Sequence, residues 1–318
     1  MNILILSAGT RDKVVQYFKS VVGTAGKVIA TDCSDLAPAI YEADEYVIVP
    51  RIDAEGYIDG ILEICKEKKI DGVLSLIDPE LSMLAEHRES FRAVGTTCIV
   101  PDYELVEICF DKYRMYELLT KYGYPTAKSY VEKEAFYQDV QDGKAVYPVF
   151  VKPVRGSASM NISKVNSQKE VDLLFELYDD LMIQEYMDGT EYGADVYIDL
   201  LSGKVTSIFI KEKIKMRAGE TDKAVSIKDD ALFTMIREFV ERAGFRGIID
   251  IDIFKVNGTY YISEVNPRFG GGYPHAFACG VNVPAQILMN LSGKENPCTI
   301  GEYQEGICMM KYNEIMIR

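Results

Sequence analysis

Over the first hundred residues, short apolar runs alternate with amphipathic segments, and this alternation constrains the fold more than any other feature of the chain. Ile3–Leu6, Val28–Thr31, Tyr46–Val49, Gly72–Leu76 and Thr97–Val100 read as strands. Between them lie helix candidates such as Glu55–Lys69, where Ile58, Ile61, Leu62 and Cys65 recur at helical spacing. Strands and helices taken in turn imply a parallel sheet with helices on its faces. The architecture is Rossmann-like, but the glycine fingerprint is missing. The first strand is followed by Ser7-Ala8-Gly9-Thr10-Arg11 rather than G-x-G-x-x-G, which argues against an NAD-dependent enzyme. The turn still lies at the carboxyl end of a strand, where such sheets bind ligands.

The whole chain has 318 residues, enough for two domains at roughly 100–200 residues each. It carries 35 Lys+Arg against 49 Asp+Glu, a net charge of −14. That field repels phosphates and anionic lipids, so neither nucleic acid nor a membrane is an expected partner. An anionic ligand then needs a local basic site or a metal ion. No apolar run approaches the ~20 residues that span a bilayer. The N-terminus reads as a buried strand rather than a secretory leader. Seven cysteines without a C-x-x-C pair suit reduced thiols and a cytoplasmic location. With only His87 and His275 present, carboxylates and lysines must carry most of the chemistry.

A domain boundary is expected near Pro101–Asp111, giving domains 1–110 and 111–318. Asp111 can N-cap a helix with the apolar stripe Met115, Leu118, Leu119 and Tyr122, which Gly123 and Pro125 stop. From Val149 the pattern changes. Strand candidates Val149–Lys152, Asn161–Val165, Leu181–Tyr186, Tyr192–Asp199 and Lys204–Lys213 arrive with one helix, about Gln168–Tyr178, among them. An amphipathic helix carrying Leu232, Met235, Ile236, Phe239, Val240 and Ala243 ends at Gly244. Gly247–Val256 and Thr259–Val265 then flank Asn257-Gly258, a strong hairpin signal. This half is α+β with antiparallel sheet.

The hairpin carries the most informative residues. A two-residue turn pairs Val256 with Thr259 and sets Asp252 opposite Ser263, whereas a one-residue bulge sets it opposite Glu264. In either register Asp252, Glu264 and Asn266 converge, an oxygen set suited to Mg²⁺ with substrate phosphates. The alternative is a row of solvent-facing strand residues, Asp250 among them. In a second stretch, Lys152 interrupts the apolar strand Val149-Phe150-Val151 and precedes Arg155-Gly156-Ser157-Ala158-Ser159. A lysine there needs an anion or a path to water, and the loop is rich in backbone donors that can close over phosphates. A strand-edge lysine before a flexible turn is the plainer reading. Gln184-Glu185-Tyr186-Met187 through Glu191 is an acidic hairpin whose backbone could read an adenine edge, with Glu191 near ribose hydroxyls. Lys211, Lys213, Lys215 and Arg217 alternate along a basic strand that is either a solvated face or the lining of an anion site. Gly270-Gly271-Gly272 lets backbone approach a ligand closely, or is a flexible loop.

Taken in order, these stretches resemble the ATP-grasp superfamily, most closely its carbamoyl-phosphate-synthase-like and carboxylate–amine ligase members, from the N-terminus to about Asn282. The resemblance implies a Rossmann-like pre-ATP-grasp domain followed by an ATP-grasp domain with a lid at about 124–190 and a catalytic part at about 191–318. It implies that Lys112 and Lys152 contact ATP phosphates, with Gly156, Ser157 and Ser159 folding over them. Glu185 and the Met187 backbone would hold adenine, and Glu191 the ribose. Asp252, Glu264 and Asn266 would bind Mg²⁺ (or Mn²⁺), and Arg268 would stabilise the transferring phosphoryl group. The first metal ligand, Glu or Gln in many relatives, is the shorter Asp252 here. The implied reaction activates a small carboxylate as an acyl phosphate and joins it to an amine, releasing ADP and phosphate. The substrate would sit between the N-terminal domain and the Gly270–Asn282 loop, with Thr10, Arg11, Asp78 and Glu80 as contacts. A homodimer is the family-level expectation. Two other readings are an ATP-dependent phosphotransferase and a non-catalytic ATP-binding module.

Overall fold

The computed structural model describes residues 1–156, 162–217 and 219–318. In the N-terminal part, β1 (Asn2–Leu6), β2 (Lys27–Asp32), β3 (Glu45–Ile48), β4 (Gly72–Ser75) and β5 (Thr97–Cys98) form a parallel sheet in the order β3-β2-β1-β4-β5. Helices α1 (Asp12–Val22), α2 (Tyr57–Lys68), α3 (Asp78–Glu86) and α4 (Arg88–Ala93) complete it. The central strands are buried, so they read as unbroken apolar runs rather than alternating ones. From α1, Val14, Val15, Phe18 and Val22 pack on one face, and from α2, Ile58, Ile61 and Cys65 pack on the other. Each large apolar side chain so buried contributes about 1.5–3 kcal/mol.

Strand order reverses at β1. The chain moves outward through β2 and β3, then returns to the far side of β1 as β4. The crevice between the carboxyl ends of β1 and β4 is therefore the switch point at which such sheets take ligands. It is entered by the turn Ser7–Arg11 and by Leu76–Asp78.

Helices α5 (Tyr103–Phe110) and α6 (Lys112–Tyr122) lead onward. Asp111 caps α6 by accepting from the N–H groups of Tyr113 and Arg114 at 3.1 and 3.0 Å, and Gly123, at φ +80°, closes it. A small antiparallel sheet follows, made of β6 (Ser129–Tyr130), β7 (Val149–Pro153), β8 (Ser163–Val165) and β9 (Leu181–Glu185) in the order β6-β9-β7-β8. It is covered by α7 (Lys133–Gln141) and α8 (Gln168–Leu177). The sequence reading did not anticipate β6 and α7: two residues show no period, and α7 buries one side chain, Phe136.

The larger sheet comprises β10 (Thr190–Ile198), β11 (Val205–Arg217), β12 (Glu220–Ile227), β13 (Gly247–Val256), β14 (Thr259–Asn266) and β15 (Cys308–Met310), in the order β14-β13-β10-β11-β12-β15. Helices α9 (Asp230–Ala243), α10 (Tyr273–Ala278) and α11 (Val283–Leu291) belong to this part, and α10 occupies a stretch expected to be loop. One sheet face bears Ala194, Val196, Ile208, Ile210, Ile249 and Ile251, which share a core with Leu232, Ile236 and Phe239 of α9. Strand alternation puts charged residues on the other face. The apolar core is continuous with that around Val14 and Phe18 of α1, so the N-terminal sheet and the larger sheet pack as one unit.

The hairpin turn has φ of +50° at Asn257 and +84° at Gly258 and pairs Val256 with Thr259, as the two-residue spacing requires. Ile253 still pairs with Ile262, but Asp252 pairs with Glu264 and Asp250 with Asn266. Ser263 is the extra residue of a bulge, which resolves the register in favour of opposed carboxylates.

Candidate active site

The charged face of the larger sheet is a two-dimensional array fixed by register. Across β10, Gly193 lies opposite Lys211 on one side and Asp252 on the other, and Asp195 lies opposite Asp250. Gly193 leaves room for the lysines, since a Cβ there would stand 3.0 Å from Lys211 Cε and 3.2 Å from Lys213 Cε. Both lysines expected on a solvated or anion-lining strand are buried in ion pairs. Lys211 Nζ lies 2.5 Å from Asp195 Oδ2, and both residues are about 1% exposed. Lys213 Nζ bridges Glu191 Oε1 and Asp252 Oδ1, each at 2.6 Å. Burial opposes the Lys213 charge, but Asp252 and Glu191 outweigh it and hold the ammonium above its ordinary range. Lys215 and Arg217 remain exposed.

The opposing wall comes from the small sheet. Lys152 on β7 is 8% exposed and donates to Gln184 Oε1 at 2.7 Å. Gln184 in turn donates to Ser129 Oγ at 3.0 Å, which fixes its amide. Burial pushes the Lys152 ammonium down to about 8. Glu264 and Asp252 act against that shift, and Lys112 adds to it. The charges of the larger sheet therefore reach the lysine of the small one. Lys112 opens α6 and is pinned to the end of β7: its N–H donates to Val154 O at 3.0 Å, its Nζ donates to Gly156 O, and Asp111 bridges to Arg155. Gly156 sits at φ +125°, a conformation that favours glycine. Ser157 and Ser159 lie outside the described residues.

At the third edge, Glu185 ends β9, is exposed, and accepts from the Lys128 N–H at 3.3 Å. Tyr186 packs edge-on to Phe150 and carries Lys164 Nζ 3.5 Å above its ring. Met187 and Glu191 are partly buried.

Asp252, Glu264 and Asn266 share a face, and they fit a hard divalent cation because every donor is oxygen. Among the described residues no group of three or more His, Cys, Asp and Glu forms a closed metal cage. Two carboxylates and an amide are instead an open set, suited to an ion that keeps water or phosphate oxygens. Asn266 Oδ1 accepts from Arg268 at 3.3 Å.

Arg268 is the link to the N-terminal part. Its guanidinium donates to Asp78 Oδ1 at 2.9 Å and Oδ2 at 3.3 Å. Burial opposes its charge, yet Asp78, Asp250 and Glu264 keep the pKa above the ordinary value. Arg11, from the turn after β1, pairs with Glu220 Oε1 at 3.2 Å. Both switch-point loops therefore end on the larger sheet. Glu80, expected to contact substrate, is fully buried and hydrogen-bonded to Tyr57 and Ser75 inside the N-terminal part, and burial raises its pKa. Sequence reasoning missed Gln184, Asp195 and Glu220 as parts of the array. Alternation along β10 marks Glu191, Gly193 and Asp195 as one face, but nothing local marks that face as the charged one.

A parallel-sheet domain abutting an antiparallel sheet with a charged face, and a smaller sheet bearing a buried lysine with a second lysine pinned to its edge, is the arrangement of a nucleotide-handling enzyme. Residues 109–272 match the family model described as an ATP-grasp domain, and residues 3–99 match that of a PylC-like N-terminal domain. The chain belongs to the ATP-grasp family and is of the carboxylate–amine ligase type. It is 24% identical to a carbamoyl-phosphate synthase of Methanobrevibacter smithii over 310 residues, covering 92% of this chain and 81% of that protein. It is also 24% identical over 270 residues to the arginine-specific carbamoyl phosphate synthase large chain of Geobacillus stearothermophilus, 80% of this chain but 25% of that one. In structure it is similar to the biotin carboxylase domain of Hydrogenobacter thermophilus 2-oxoglutarate carboxylase, with a TM-score of 0.77, 15% identity, and coverage of 96% of this chain and 73% of that one. Among the described residues, no helix is long and apolar enough to cross a membrane.

Proposed function

We propose that this protein binds MgATP between its two antiparallel sheets, activates a small carboxylate beside Arg268, and joins it to an amine. The observation that carries this reading is that Lys152, buried on the small sheet, feels the charges of Glu264 and Asp252 of the larger sheet together with that of Lys112. Lys112, Lys152 and Gly156 hold phosphates in this scheme, together with Ser157 and Ser159. Glu185 and the Met187 backbone take the adenine, and Glu191 the ribose. Asp252, Glu264 and Asn266 hold Mg²⁺, which when bound neutralises phosphate charge and supplies electrophilic polarisation. Lys152 and Arg268 are the catalytic cations: Lys152 stabilises charge on the phosphoryl group, and Arg268, held flat by both oxygens of Asp78, orients the acid. The burial of Lys152 excludes water around the transferring group and strengthens each of these interactions.

The chain is read as two domains, 1–110 and 111–318, the second with a small lid part at about 124–190 and a catalytic part at about 191–318. Its cysteines are unpaired among the described residues, which supports a reducing, cytoplasmic setting. A homodimer is supported by the biotin carboxylase domain of similar fold, which was solved as a dimer.

The test is ADP and phosphate release measured against a panel of amino acids and other carboxylates, with and without amine acceptors. Acyl phosphate formation is trapped by hydroxylamine as a hydroxamate. ADP release with no hydroxamate under any acid would instead indicate a phosphotransferase.

A further inference from the structure

One carboxylate on the charged face takes no part in the scheme above. Asp250 lies two residues before Asp252 on β13, opposite Asn266 on one side and Asp195 on the other. Its neighbours on that face each have a lysine, Asp252 through Lys213 and Asp195 through Lys211. Asp250 has neither a hydrogen bond nor an ion pair among the described residues. Asp195 repeats the deficit, since its buried Oδ1 has no partner. Two adjacent carboxylates, Asp250 and Asp195, therefore offer unused acceptor oxygens on this face among the described residues.

The surroundings are shaped for a ligand with both signs of charge. The backbone of Gly270 lies against Asp250, where a Cβ would stand 2.4 Å from its Cγ. A Cβ on Gly271 would stand 3.0 Å from Glu220 Cδ and 3.3 Å from an Arg11 nitrogen. The glycines singled out in the sequence thus make room for this chain's own charged side chains at the seam with the N-terminal part. Gly271 packs between Glu220 and Arg11, and Arg268 donates to Asn266 opposite Asp250, so both arginines lie at this seam.

We propose that Asp250, backed by Asp195, is the subsite for an ammonium group, so that the acid activated beside Arg268 is an amino acid bound as a zwitterion. This rests on the ligase reading and adds the class of acid. Asn266, which pairs with Asp250 across the strands, accepts from Arg268 at 3.3 Å, so a small amino acid can turn its carboxylate toward Arg268 and its ammonium toward Asp250.

The experiment compares amino acids with the same acids lacking the amino group, reading ADP release and hydroxamate for the wild-type protein, Asp250→Asn and Asp250→Glu, with MgATP affinity measured by calorimetry. The wild type is expected to turn over only the amino-bearing series. Asp250→Asn should raise KM for that series about 100-fold with MgATP affinity unchanged, and Asp250→Glu should recover part of the loss. Equal use of the des-amino acids by the wild type, or a KM within twofold of wild type in a folded Asp250→Asn that binds MgATP, overturns the subsite while leaving the ligase reading standing. MgATP binding without ADP release from either series overturns the ligase reading and the subsite with it.

Discussion

Arg268 and Asp78 are 190 residues apart in the chain and meet through two hydrogen bonds, at 2.9 and 3.3 Å. One comes from the strand-end motif of the larger sheet, and the other from the first turn of the helix after β4. The pair joins the carboxyl edge of the parallel sheet to the charged face of the antiparallel one. Asp78→Ala leaves a mostly buried guanidinium with weaker partners in Asn266 and Glu264. It should lower stability by about 1–3 kcal/mol in urea unfolding and reduce kcat while leaving MgATP affinity near wild type. Arg268→Lys keeps the charge but not the paired donors and should lose most activity.

Glu264 lies opposite Asp252 because of the bulge at Ser263. Glu264→Gln preserves shape and removes one anionic oxygen donor, so the Mg²⁺ concentration for half-maximal ADP release should rise at least tenfold. Chelation with EDTA should abolish release in the wild type. A variant with an unchanged Mg²⁺ requirement would remove Glu264 from the metal set.

Lys152 gives a pH signature. Its folded pKa is lowered from 10.5 to about 8. Between those values the unfolded chain holds more protons than the folded one, so this residue makes stability rise with pH across that window and adds no slope below it. Phosphates brought beside the ammonium restore its charge. MgATP binding near pH 9 should therefore take up close to one proton, measured by calorimetry in buffers of different ionisation enthalpy, and Lys152→Met should abolish the uptake.

Gly270→Ala tests the packing of the glycine run. A methyl group 2.4 Å from Asp250 Cγ cannot be accommodated without moving that carboxylate. Activity should fall at least tenfold with little change in thermal unfolding. Gly280→Ala, at φ +99° with no atom within 4 Å of the new Cβ, should behave the opposite way and cost about 1 kcal/mol of stability while sparing activity.

Much of the fold is legible in local sequence because period and punctuation are local properties. The apolar runs gave the five parallel strands, Asp111 and Gly123 bounded α6, and Asn257-Gly258 set a hairpin whose turn pairs Val256 with Thr259. The strands β6, β12 and β15 carried no such signal. The two- and three-residue strands β6 and β15 depend on partners far along the chain, as when Met310 and Cys308 pair with Lys223 and Val225 of β12, while β12 pairs with its neighbour β11 through a shifting register.

The order of parts and the side chains with chemistry to offer are legible in the chain, since Lys152, Asp252, Glu264, Asn266 and Arg268 are visible as residue types at spacings that strands and turns impose. How their charges are matched is a product of packing. Lys213 between Glu191 and Asp252, Asp78 on Arg268, and Asp250 left without a cation all depend on which strands lie side by side, and on one bulged residue that shifts a register. Electrostatic pairing acts over a few ångströms of space rather than over positions in a chain, so it exists only once the sheets have formed.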